Sequence, residues 1–129
     1  MPVHPLETWH RLVRDRDPRG LDALLSEEVV FHSPVVHTPQ AGKRITTVYL
    51  GAALRVFCNE TFHYVRELVG EQEAVLEFEV EIDGLTVNGV DMLRWNREGQ
   101  LVEFKVMIRP LQAIQLIHQK MALMLQAKG

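Results

Sequence analysis

A chain of 129 residues, 47% hydrophobic and 24% charged, has the size and composition of one globular domain with a sizeable core. Its net charge of −3 argues against nonspecific nucleic-acid binding, which needs a basic face to displace counterions from phosphates. The single cysteine, Cys58, rules out an internal disulfide and fits a reducing compartment; with no signal-peptide core in MPVHPLETWHRLVRDRD and no run that would span a bilayer, a cytoplasmic protein with no membrane contact is expected.

In chain order, Leu6, Trp9, Leu12 and Val13 form an apolar stripe at helical spacing. Asp17-Pro18 restarts the chain as N-cap and first helical residue, and Leu21, Leu24 and Leu25 follow in a second short helix. Val29 to Ser33 is a β-rich run stopped by Pro34, and 34–42 is a loop punctuated by Pro39 and Gly42. Ile45, Val48, Tyr49, Ala52, Ala53 and Val56 predict a third helix. Phe62 to Val69, bounded by Gly70, predicts a strand although it alternates less cleanly.

Ala74 to Pro110 then reads as three consecutive antiparallel strands. Asp83-Gly84 is a two-residue loop of the kind that favours a type I′ turn, because both positions need positive φ. It sets a register in which Ile82 faces Leu85, Val80 faces Val87, Phe78 faces Gly89, Leu76 faces Asp91 and Glu73 faces Arg94. Side chains alternate along a strand, so Asp91 is the one charge on an otherwise apolar face, while Glu77, Glu79, Glu81, Asn88 and Arg94 take the other. The second hairpin turns at Asn96-Arg97-Glu98-Gly99, which places Glu77 and Lys105 on either side of Val90. Val102, Phe104, Val106 and Ile108 form the apolar side of the last strand, with Glu103, Lys105, Met107 and Arg109 opposite. Leu111 to Ala127 closes the chain as an amphipathic helix with Ile114, Ile117, Met121, Met124 and Leu125 on one stripe. Helices, a strongly curved antiparallel sheet and a C-terminal helix make an α+β, cone-shaped domain over 1–129. Gly89, facing Phe78 and one inward step before Asp91, either leaves room on the floor of a pocket or marks a bulge that bends the sheet.

Val90-Asp91-Met92-Leu93-Arg94-Trp95, Glu98-Gly99-Gln100-Leu101 and Met107 resemble the signature hairpin of the nuclear-transport-factor-2-like superfamily, which includes ketosteroid isomerases and SnoaL-like polyketide cyclases. Trp9, Leu21 to Leu25 and Glu27 to Pro34 match its helix, helix, strand, proline order. By this resemblance Asp91 falls where the isomerases hold a neutral carboxylic acid in an oxyanion hole. The isomerase general base falls on Ser33 and its oxyanion tyrosine on Trp9, whose indole donates a hydrogen bond but transfers no proton near neutrality. Steroid isomerisation by the usual route is therefore not expected, and the Asp-Arg-Asp set of epoxide hydrolases with this fold is not visible.

A lone carboxylate in an apolar pocket resists ionisation, so Asp91 would act as proton donor or oxyanion partner; the alternative is a core aspartate satisfied by Trp9, Tyr49 or a backbone amide. His32 is the substitute base considered, though strand alternation sets it opposite Phe31 and Ser33; His37 lies in the loop. Trp9 and Tyr49 are expected to line the cavity from the helices, and Phe31, Ser33, Phe78, Gly89, Phe104 and Val106 from the strands. No cofactor or metal is expected. The resemblance implies a homodimer through the outer sheet face, with Glu77, Glu79, Lys105 and Arg109 pairing across it. Two functions stay open: a cofactor-independent isomerase, cyclase or dehydratase of an apolar carbonyl compound, and a non-catalytic ligand-binding or dimeric assembly module.

Overall fold

The computed structural model describes residues 4–128. Helix α1 (Pro5–Asp15) starts because the His4 ring accepts the Leu6 N–H and Pro5 needs no partner for a missing donor; it stops at Arg16, which turns left-handed with φ of 53°. Leu6, Trp9 and Leu12 are its buried stripe. The Asp17 carboxylate caps the next segment by accepting the Arg19 N–H, but the segment is one 3₁₀ turn (Pro18–Gly20) and one α-turn, α2 (Leu21–Leu24). Leu25 belongs to strand β1 (Leu25–His32) rather than to the second helix, and is fully buried opposite Leu101.

The loop after β1 contributes a two-residue strand, β2 (Gln40–Ala41), which pairs with Val30 and Phe31. Helix α3 (Lys43–Phe57) and strands β3 (His63–Val69), β4 (Glu73–Ile82), β5 (Leu85–Trp95) and β6 (Leu101–Arg109) follow, and helix α4 (Leu111–Lys128) ends the chain. The six strands form one sheet in the order β2-β1-β6-β5-β4-β3, antiparallel except for the β1/β6 pair, which is parallel. Its concave face holds α1, α2 and α3, packed around Phe78, Phe104, Leu76 and Leu93, and α4 lies across α3 and the ends of β5 and β6. Lys120 of α4 meets Asp83 of the first hairpin at 3.0 Å. Among the described residues no helix is long and apolar enough to cross a membrane.

The β4/β5 ladder has the register that the Asp83-Gly84 turn dictates, with φ of 51° and 79° at the two turn residues. Val80 faces Val87, Phe78 faces Gly89 and Leu76 faces Asp91. The β5/β6 ladder differs from expectation by two residues: Val90 lies opposite Met107, and Lys105 opposite Met92. One residue comes from the turn, which runs over five residues, 96–100, rather than four, and the other from a bulge at Val102. Leu101 and Phe104 are both buried, a spacing of three that strict alternation forbids, and one extra residue between them turns both inward. Leu101, not Val102, is therefore the first core residue of β6.

Gly89 is neither bulge nor pocket floor. The ladders on both sides pass through it unbroken, and a methyl group at its α-carbon would lie 2.5 Å from the Phe78 ring tip, 2.6 Å from Ile108 Cγ2 and 2.7 Å from the Met107 carbonyl oxygen. The glycine makes room for the Phe78 ring. Since the carbonyl belongs to the sheet itself, a methyl there forces backbone as well as side chains to shift. Gly89→Ala is expected to lose about 1–3 kcal/mol of stability despite its better strand propensity. Urea denaturation measures this directly; a neutral or stabilised variant would refute the packing account.

Candidate active site

Asp91 lies midway along β5 on the inward face, between Leu76 of β4 and Val106 of β6, and is 6% exposed. The group that meets it comes from β3. Tyr64 donates its hydroxyl to Asp91 Oδ2 at 2.7 Å, and Trp9 of α1 donates its indole N–H to the Tyr64 oxygen at 2.9 Å. Tyr64 turns inward because the β3/β4 ladder slips between Tyr64 and Arg66, so that Val65 is the extra residue and the rest of β3 is exposed. Trp9 thus reaches Asp91 through Tyr64, and Tyr49 makes no bond to it.

The two carboxyl oxygens are not equivalent. Oδ2 accepts from Tyr64, whereas Oδ1 has no partner among the described residues; nor is it sealed in, since among them only Thr46 Oγ1 is a fully enclosed side-chain polar atom without a partner. Burial pushes the Asp91 carboxyl up from 3.8 to about 7, against the smaller downward pull of the Tyr64 hydrogen bond. Tyr64 itself is held well above 10 by burial and by the neighbouring carboxylate, so its hydroxyl remains a donor. With Oδ2 occupied as acceptor, the proton of the neutral acid belongs on Oδ1. The Asp91 side chain borders an apolar chamber.

The chamber holds about 40 Å³, with Trp9, Leu54, Phe57, Cys58, Phe78 and Phe104 among its walls. Trp9 and Phe104 meet edge to face at 4.8 Å. The Cys58 thiol is pushed up to about 12, chiefly by burial and also by Asp91, which leaves it an uncharged wall atom rather than a nucleophile. A second, outer chamber of about 170 Å³ opens between β1, the loop 33–36 and α4; Phe31 and Tyr49 stack on its wall at 5.5 Å, and Ile117 and Met121 form its roof. Ala53, Phe57 and Val106 border both chambers.

The expected site residues therefore divide. Trp9, Phe78, Phe104 and Val106 surround Asp91, while Phe31, Ser33 and Tyr49 line the outer chamber. The Ser33 hydroxyl oxygen is occupied by the N–H groups of Val35 and Val36 in a local turn. His32 lies on the outer face of the sheet, 3.1 Å from Glu103, because Phe31 takes the inward position; it is not in reach of either chamber, and His37 is exposed. Gly89 borders a groove on the outer face instead. Tyr64, Phe57 and Cys58 complete the site without having been anticipated. Among the described residues no three His, Cys, Asp or Glu side chains gather as a metal site.

The Asp91 titration has a stability signature. An acid whose folded pKa exceeds its unfolded value binds its proton more tightly when folded, so stability falls as pH rises from about 3.8 to about 7 and is insensitive to this group outside that window. The fall is roughly 4 kcal/mol at 1.36 kcal/mol per unit. Asp91→Asn should remove it, so the two proteins compared by urea denaturation converge toward pH 4 and diverge, with the variant more stable, toward pH 8. Parallel pH profiles would mean that Asp91 is not buried as an uncharged acid.

The sequence matches the family model of the SnoaL-like domain over residues 6–104. No curated protein matches it. Among solved structures, a steroid Δ-isomerase from Pseudomonas aeruginosa is 36% identical with a TM-score of 0.90, covering 96% of this chain and 90% of that one. A cystatin-like-fold protein from Silicibacter pomeroyi is 29% identical, with a TM-score of 0.80 over 89% of this chain and 82% of its own. A nuclear-transport-factor-2-like protein from Mesorhizobium loti, 21% identical with a TM-score of 0.70 over 85% and 98% of the two chains, shares the fold. The curved sheet around N-terminal helices, the closing helix and the match across most of the chain together show that this protein belongs to the SnoaL-like domain family, with the nuclear-transport-factor-2-like fold.

Proposed function

We propose that the protein is a cofactor-independent isomerase, cyclase or dehydratase of an apolar carbonyl compound, with Asp91 as its acid. The observation that carries this reading is an Asp91 side chain that borders an apolar chamber with Tyr64 on Oδ2 and no partner on Oδ1 among the described residues. A neutral carboxyl group there donates a hydrogen bond to a carbonyl oxygen, and its strength rises as negative charge develops on that oxygen. The same proton suits a departing hydroxyl. Tyr64 and Trp9 hold the acid in place and supply no proton, since both already donate along the chain toward Asp91.

Among the described residues the inner chamber presents no second titratable group besides Asp91 and Cys58. That favours reactions in which the substrate's own basic atom or a water accepts the proton. It is also the observation behind the second reading, a ligand-binding module without turnover. The neighbour named as a steroid isomerase lends the first reading its reaction class, but Ser33 stands in a backbone turn where a carboxylate base would be needed for that route. Assays with enones and β-hydroxy ketones decide between the two. Asp91→Asn should lower turnover roughly 10²–10⁴-fold, the usual worth of general acid catalysis, with binding nearly unchanged. Equal turnover in variant and wild type would leave the binding-module reading.

The outer sheet face is, in this reading, a homodimer interface, and the buried lone thiol suits the cytoplasm. Lys105 and Arg109 have no ion pair among the described residues, Met107 between them is 49% exposed, and Glu77 and Glu79 lie on the same face. Both signs of charge on one surface allow a two-fold axis to pair them. The double variant Lys105→Glu/Arg109→Glu should sediment as a monomer, and a persisting dimer would rule this surface out.

A further inference from the structure

The two chambers differ in size and share a wall, and that wall suggests what the ligand is. The inner chamber of about 40 Å³ is a few times the roughly 10–15 Å³ that a cavity needs to hold one water, so it accommodates a carbonyl or hydroxyl tip but no ring. The outer chamber of about 170 Å³ is close to the roughly 150 Å³ of an apolar cavity known to take up benzene. Phe57, the last residue of α3, borders both, together with Ala53 and Val106. Its ring cannot retreat toward the sheet. It stands edge-on to Phe78 at 5.6 Å, and Phe78 in turn is seated on Gly89, where no further space remains.

We propose that the chambers form one bipartite site for single-ring ketones and phenols, whose oxygen meets Asp91 Oδ1 and whose ring lies in the outer chamber, with Phe57 as the size-selecting residue. The ring then rests against the Phe31 and Tyr49 stack and under Met121, surfaces suited to an aromatic or alicyclic body. A second ring fused across the meta and para carbons, as in 2-naphthol and estradiol, widens the body at the shared wall and would have to occupy the space of the Phe57 side chain. The proposal rests on the Asp91 reading above, and its test separates the two.

Calorimetric titration of the whole protein with 4-ethylphenol, 2-naphthol and estradiol is the experiment. At pH 6 the wild type should bind 4-ethylphenol at least about tenfold more tightly than either fused-ring phenol. Phe57→Ala should raise the affinity for 2-naphthol relative to 4-ethylphenol about tenfold or more. Phe57→Leu, which keeps more of the packing, should move the ratio the same way by about threefold, and it stands in if thermal melting shows Phe57→Ala to be unfolded. A wild type that binds 2-naphthol or estradiol as well as 4-ethylphenol, or a ratio unmoved in a folded Phe57 variant, overturns size selection by Phe57. The Asp91 reading is judged separately. Affinity for 4-ethylphenol should weaken from pH 6 to pH 8.5 in the wild type and stay level in Asp91→Asn. Failure of the wild type to bind any of the phenols, or identical pH profiles in the two proteins, overturns that reading and the proposal with it.

Discussion

The carboxyl group of Asp91 is set among apolar side chains with one hydrogen-bond donor for company, and much of the surrounding architecture can be understood as what is needed to keep it there. Moving its pKa from 3.8 to about 7 corresponds to roughly 4 kcal/mol against the charged form. A hydrogen bond to a charged group typically returns about 1.5–3 kcal/mol. The net shift already includes the Tyr64 bond, so desolvation exceeds it by that whole amount, and the acid is held near the point of losing its proton at neutral pH. Tyr64 decides which oxygen keeps it. Without that hydroxyl the two oxygens would compete; with it, the proton is directed to the chamber.

Curvature is what brings Tyr64, Trp9 and Asp91 together, and it comes from local exceptions to strand regularity. The slip at Val65 turns one tyrosine of an exposed edge strand inward. The slip at Val102 buries Leu101 and Phe104 together. Gly89 lets an aromatic ring lie flat against the sheet where any other residue would push it off. The two slips cost ladder regularity and bend the sheet, while Gly89 costs strand propensity and leaves room for the Phe78 ring on the concave side.

These exceptions also mark the limit of what the sequence discloses. The β4/β5 register and the solitary inward position of Asp91 are legible because Asp83-Gly84 admits only one kind of turn and alternation does the rest. Past Gly99 the same reasoning slips by two residues, one because the turn takes in Gln100 and one because alternation alone contains no sign of a bulge; the close spacing of Leu101 and Phe104 is the clue to the second. Tyr64 escaped notice for the same reason. Its strand alternates poorly and exposes Val65, Leu68 and Val69, so the apolar pattern does not mark which residue turns inward. The stripe on α4 was visible by its period, but periodicity identifies a buried face without saying that it roofs a chamber. Phe57 and Cys58 sit at a helix end, where periodicity fades.

The segment that matches the SnoaL-like family ends at Phe104. Trp9, Tyr64 and Asp91 fall inside it, whereas Ile117 and Met121, which roof the outer chamber, come from the helix beyond. The acid and the roof are thus carried by successive stretches of chain. In the proposed reading, a lineage that altered only its final helix would reshape the roof over an unchanged acid. A chimera joining this core to a foreign closing helix would keep Asp91, the aromatic stack and the Phe57 wall from one parent and take only the roof of the outer chamber from the other.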